Sequence, residues 1–169
     1  MEQYDNVERA VIDAADTIAA IDAKSHFEND REWTKRLLTA ISEVGHKRGY
    51  YVCCSSCPTY GEGEWLYDMV WLKHAQDAPG YMTEVPLILE PEWNGDLSAI
   101  DDDFMKLLLG RAQHRVMVFQ HRDRQNLERI TRHLVEQIRA FEPTQRGDRY
   151  LFLGWDGANK KFRPELFVN

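Results

Sequence analysis

Three carboxylates stand where a folded chain gains nothing from burying them. Asp68 interrupts Trp-Leu-Tyr-Asp-Met-Val-Trp-Leu, residues 65–72, the most apolar stretch of the sequence. Glu90 and Glu92 close Pro-Leu-Ile-Leu-Glu-Pro-Glu-Trp, residues 86–93. A carboxylate left among apolar neighbours costs on the order of several kcal/mol unless a cation or hydrogen bonds satisfy it. Side chains two apart on a strand share a face, so Glu90 and Glu92 point the same way as Ile88. If their strand pairs with that of Asp68, all three meet. Clustered carboxylates repel, and a hard divalent cation, Mg²⁺ or Mn²⁺, is the expected neutralising partner, with Asp68, Glu90 and Glu92 as ligands. The alternative is that Asp68 pairs with an arginine at a strand end while Glu90 and Glu92 are solvated, as Pro91 between them favours an edge or terminal position.

The elements that position these residues follow from periodicity. Val7, Ala10, Val11, Ala14, Ile18 and Ile21 recur at helical spacing, so residues 1–24 form an N-terminal helix packing on the core. Asn29 and Asp30 are candidate N-caps for a second helix with Trp33, Leu37, Ala40, Ile41 and Val44 on one stripe. Strands are expected at 50–54, 65–72 and 85–93, with Gly61-Glu62-Gly63 a turn. The acidic run 101–103 opens a helix to 109 or 112, with Lys106 in its first turn, counting Asp103 as N-cap. A strand at 115–119, a helix at 125–141 and strands at 150–155 and 162–168 complete one domain, 1–169. The fold class is α/β: a mixed sheet in which a three-strand meander leads through a crossover helix to a further strand, flanked by helices.

Composition sets the outer bounds. The 169 residues are 43% hydrophobic and 29% charged, which excludes collagen-like and disordered classes. No run of about 18 apolar residues suggests a membrane span, and the acidic N-terminus lacks a secretory h-region, so a cytoplasmic location is expected. Cys53, Cys54 and Cys57 read as buried, inert thiols. A zinc site would need His46 and His74 as further ligands, and a thioredoxin-like motif would need a following helix. The net charge is −7, unevenly distributed. Residues 1–110 carry 9 basic against 21 acidic side chains, and residues 111–169 carry 12 against 7. That asymmetry fits either uneven solvated helix faces or a basic docking face opposite an acidic site.

The acidic residues and the order of elements over roughly residues 31–120 resemble the PD-(D/E)XK nuclease superfamily, the restriction-endonuclease-like fold. Glu43 in Ala-Ile-Ser-Glu-Val-Gly matches the family's helix glutamate, Asp68 its strand aspartate, and Glu90 the first acid of its third-strand motif. Glu92 stands where the family's lysine is usual; some members carry this E-x-E pattern, and others place the lysine on the following helix, where Lys106 lies. The resemblance implies a metal-dependent nuclease acting on DNA. Asp68 and Glu90 would hold Mg²⁺ or Mn²⁺, Glu92 or Lys106 would orient or deprotonate water, and Glu43 would act behind them or on a second metal. Arg111, Arg115, Arg122 and Arg124 are candidate backbone contacts, and a homodimer or partner protein fits as well. The competing expectation is a non-catalytic module of the same fold that binds DNA or protein.

Overall fold

A computed structural model of the chain describes residues 4–25, 29–57 and 63–169. Its elements run α1 (Asn6–Ser25), α2 (Asp30–Lys47), β1 (Tyr51–Cys54), β2 (Met69–His74), β3 (Met82–Glu92), α3 (Leu97–Leu109), β4 (His114–His121), α4 (Arg124–Ala140), β5 (Arg149–Asp156) and β6 (Lys161–Val168). The strands form one sheet in sequential order from β1 to β6. β1, β2 and β3 are antiparallel, β3, β4 and β5 are parallel, and β6 returns antiparallel to β5. The meander followed by a crossover matches the pattern in the sequence.

Successive crossovers of one hand, advancing in one direction, put their helices on one face of the sheet. Accordingly α3 and α4 bury Phe104, Leu107, Ile130 and Leu134 against Val70, Ile88, Met117 and Phe152. The other face, carrying Trp71, Leu87, Leu89 and Val116, is covered by α1 and α2 through Val11, Ala15, Leu37 and Ile41. Strands between two apolar layers read as unbroken apolar runs, which explains β4 and β5. The α2 layer is close: a Cβ on Gly45 would come within 2.6 Å of the Trp71 ring. Among the described residues no helix is long and apolar enough to cross a membrane.

β3 begins three residues earlier than expected and β4 runs longer, and two larger shifts fall near the acidic residues. The second strand does not begin at Trp65: Trp65 and Tyr67 form only an isolated bridge, Leu66 has φ 65°, and β2 starts at Met69. A leucine in the left-handed region breaks an extended run, so Asp68 sits just before the strand. The third helix starts at Leu97, because the Asp96 side chain accepts the Ser98 N–H and caps it. Lys106 therefore lies in its last turn, not its first. In the expected turn at 61–63, residues 61 and 62 lie outside the described residues.

Candidate functional site

The register that pairs Met69 of β2 with Leu89 of β3 sets Asp68 beside Glu90. Ser55, just beyond β1, continues the ladder and holds Asp68 twice. Its N–H donates to the Asp68 carbonyl at 2.9 Å, and its hydroxyl donates to Oδ1 at 2.7 Å. Glu90 pairs with Met117 of β4, so its side chain faces the α3 layer, where it is only 1% exposed. Over it comes Lys106, with Nζ 3.4 Å from Glu90 Oε2 and 2.7 Å from Asp103 Oδ1. The Tyr67 hydroxyl closes in from the side, where a Cβ on Gly110 would meet it at 2.6 Å.

Burial pushes the Glu90 carboxyl up to about 8; Lys106 pulls the other way, and the charges of Asp68 and Asp103 push further up. The Lys106 ammonium is raised, first by its hydrogen bond to Asp103, with burial opposing and the Glu90 charge adding. Tyr67 is raised by burial and by the Glu90 charge, with Arg115 opposing. The site is thus a buried carboxylate short of positive charge, a second carboxylate beside it, and an ammonium donor at its mouth. Such a combination binds cations and can orient a water or an anion.

The structure therefore brings together Asp68, Glu90 and Lys106. Glu92 shares the face of Glu90, but its Oε1 accepts the Asn94 N–H where the chain turns out of β3. Glu43 belongs to α2, which packs on the opposite face, and pairs with Lys47 at 2.6 Å. Arg111, Arg122 and Arg124 are exposed, and Arg124 pairs with Glu128 at 2.6 Å. Arg115 is a correction: it is 5% exposed, donates to the Gly110 carbonyl, pairs with Asp148 at 3.4 Å and lies over the Tyr150 ring, so groups of the fold already engage its guanidinium. Cys54 and Cys57 are another, since they form a disulfide rather than two inert thiols, while Cys53 is buried and outside that crosslink as expected. Ser55 and Tyr67 carry no signal in the sequence, the first lying just past an expected strand and the second within one. A cleft of about 500 Å³ is lined by Glu84, Gly110, Arg111, Gln113, Arg115 and Asp148, with opposed charges, and Asp68, Glu90 and Lys106 are not among its lining residues.

A second charged cluster lies on the other face, where β4 and β5 begin. Asp5 directly precedes α1, Glu8 lies in its first turn, His114 begins β4 and Arg149 begins β5. Arg149 grips the buried Glu8 carboxylate with two bonds of 2.7 Å. Asp5 Oδ1 accepts the N–H groups of Val7 and Glu8, and His114 Nε2 lies 2.7 Å from Oδ2. The other ring nitrogen, Nδ1, is 2.8 Å from the Pro86 carbonyl. The donor atoms of Asp5, Glu8 and His114 lie within 4.8 Å of one another, the spacing of a metal-ligand set, but Arg149 and these hydrogen bonds already satisfy them. Burial pushes the Asp5 carboxyl up, yet hydrogen bonds from Glu8, His114 and Val7 outweigh it and hold the group below its usual value.

No family model matches the chain, and no curated protein or solved structure gives a match to it.

Proposed function

We propose that this protein is a metal-dependent nuclease that hydrolyses phosphodiester bonds in DNA, with the restriction-endonuclease-like arrangement its sequence resembles. One observation carries the reading: Glu90 is a buried carboxylate whose positive neighbour, Lys106, does not offset its burial. A divalent cation is the natural remedy, and the donor chemistry fits one. Asp68 and Glu90 offer hard carboxylate oxygens from adjacent strands, the ligands that Mg²⁺ and Mn²⁺ take. The ion, when bound, supplies a coordinated water of lowered pKa and offsets charge on the phosphate.

The chain's own groups do the rest. Asp68 and Glu90 hold the ion, with Ser55 fixing the orientation of Asp68. Lys106, raised in pKa and so charged, donates to the phosphate oxygen or orients the attacking water from α3, the task that a third-strand lysine performs in the family it resembles. Glu92 is committed to the Asn94 N–H, which leaves the lysine role to Lys106. Among the arginines expected to contact the backbone, Arg111 and Arg122 are exposed, and Arg124, also exposed, would first have to leave Glu128.

The test is Mn²⁺-dependent nicking of plasmid and single-stranded DNA, with calorimetry of Mn²⁺ binding alongside. Wild type should cleave; Asp68→Ala should lose metal binding and cleavage together. Lys106→Ala should bind Mn²⁺ yet cleave roughly 10²-fold more slowly, as for removal of one transition-state donor. Wild type that binds Mn²⁺ and cuts neither substrate overturns the enzyme in favour of a non-catalytic binding module. Wild type that binds no Mn²⁺ at millimolar concentration removes the metal site as well.

A further inference from the structure

Successive residues at the end of β1 serve opposite faces of the sheet. Cys54 pairs with Met69 and is buried with Cys57 in the layer under α1 and α2. Ser55, the next residue, holds Asp68 by its N–H and its hydroxyl. The Cys54–Cys57 disulfide closes the turn that contains Ser55, so a covalent bond in one layer fixes a hydrogen-bond donor that serves the other. A carboxylate ligand depends on the donors that orient it, and loss of such a partner typically costs about 10–100-fold in metal affinity.

We propose that the Cys54–Cys57 disulfide is a redox control on the Asp68 carboxylate, with Ser55 as the positioning residue between them. The proposal rests on Asp68 being a metal ligand. Its chemistry is thiol–disulfide exchange with a dithiol. The Cys54–Cys57 bond takes two electrons and two protons and becomes two thiols, while the dithiol closes to its own disulfide. The turn then loses its covalent closure, Ser55 is no longer held against Asp68, and Oδ1 loses its donor. Cys54 and Cys57 are 1% and 2% exposed, so exchange waits on local opening of the turn, and the crosslink answers to sustained rather than passing reduction.

The experiment compares oxidised protein with protein incubated in dithiothreitol and freed of it under anaerobic conditions. Calorimetry with Mn²⁺ and hydrogen exchange at the Ser55 amide are the readouts, on wild type, Ser55→Ala, Ser55→Thr and Cys54→Ser/Cys57→Ser. Reduction should weaken Mn²⁺ binding of wild type about 10-fold or more, within the range expected when a ligand's orienting partner is lost. It should also speed Ser55 exchange about tenfold or more, as the turn opens locally. The double serine variant should behave as reduced protein under both conditions. Ser55→Ala should bind weakly in either state, and Ser55→Thr, which keeps the hydroxyl, should bind as wild type does. Equal affinity and equal exchange in the two redox states overturn the proposal, as does a full redox response in the affinity of Ser55→Ala. If oxidised wild type binds no Mn²⁺, the nuclease reading fails by itself. Exchange at Ser55 then decides the clamp: acceleration on reduction upholds it, and an unchanged rate overturns it.

Discussion

The two acidic clusters, one on each face of the sheet, meet the same electrostatic problem with opposite results. At the start of α1, Glu8 is as buried as Glu90, each 1% exposed. Glu8, however, receives a two-bond arginine, and its neighbour Asp5 receives two backbone N–H groups and an imidazole. On the other face, Glu90 has a half-exposed lysine at 3.4 Å that is itself shared with Asp103, and a second carboxylate beside it. One carboxyl, Asp5, is held below its usual value and the other, Glu90, is driven up to about 8. A fold that satisfies buried charge so fully in one place and so little in another is our reason for proposing the second as the working site, because unmet charge is what a ligand can meet.

The largest expected effect tests the satisfied cluster. Arg149→Met keeps the stem that packs at the start of β5 but strands Glu8 without its cation. Breaking a buried pair from one side costs about 3–5 kcal/mol, and urea denaturation at pH 7 should show a loss of that order. A loss under about 1 kcal/mol would mean that Glu8 is not held by Arg149 and that the two faces differ less than their geometry indicates.

Glu90→Gln should act in the opposite direction. In the folded chain the Glu90 carboxyl titrates at about 8, above the ordinary 4.5, so the folded state binds the proton more tightly than the unfolded one. Stability linked to this group is therefore present below pH 4.5 and falls as pH rises towards 8. In metal-free buffer the glutamine variant should lack that slope and be more stable than wild type at pH 8 by roughly 2–4 kcal/mol, while losing Mn²⁺ binding. Mn²⁺ should restore wild type at the same pH, since a ligand bound only by the folded state stabilises it by mass action. Denaturation curves from pH 5 to 9 with and without the metal read both. A wild-type stability that rises over this range contradicts the assignment.

The contrast between the clusters was unevenly written in the sequence. Asp68 and Glu90 announced themselves because each breaks an apolar strand pattern, and pattern-breaking is local information. The meander and the crossover through α3 are legible for the same reason, since strand and helix periods alternate there, whereas the second parallel crossover through α4 and the place of β5 and β6 in the sheet are not. Glu8 offered only the weak signal of an acid three residues after an N-cap aspartate. The partners, Arg149 for Glu8 and His114 for Asp5, come from the first residues of distant strands, and no spacing rule connects them. Lys106 was placed correctly on its helix but in the wrong turn, because Asp96 and the run at 101–103 compete as caps and only the hydrogen bond to Ser98 decides. Ser55 was invisible because its role depends on the exact register of β1 against β2, and the crosslink beside it on cysteine spacing that equally suits inert thiols.

The smallest expected effect separates charge from capping within the satisfied cluster. Asp5→Asn keeps the Oδ1 acceptor for the Val7 and Glu8 N–H groups and removes the negative charge that faces His114 and Arg149. The Asp5 side chain is 40% exposed, so solvent screens its ion pairs, and the charge alone should contribute only about 0.5–1 kcal/mol at pH 7. Asp5→Ala removes the cap as well and should lose about 1 kcal/mol more, the usual size of an N-cap. The pH dependence has the sign opposite to that of Glu90. A carboxyl held below 3.8 in the fold contributes stability that is present above that pH and disappears as pH falls through the folded value. The difference between wild type and Asp5→Asn should therefore shrink as melts are repeated from pH 6 down to pH 3, and raised salt should shrink it at pH 7. A difference that instead grows towards low pH would mean that the charge of Asp5 opposes the fold, which would erase the distinction between this cluster and the one around Glu90.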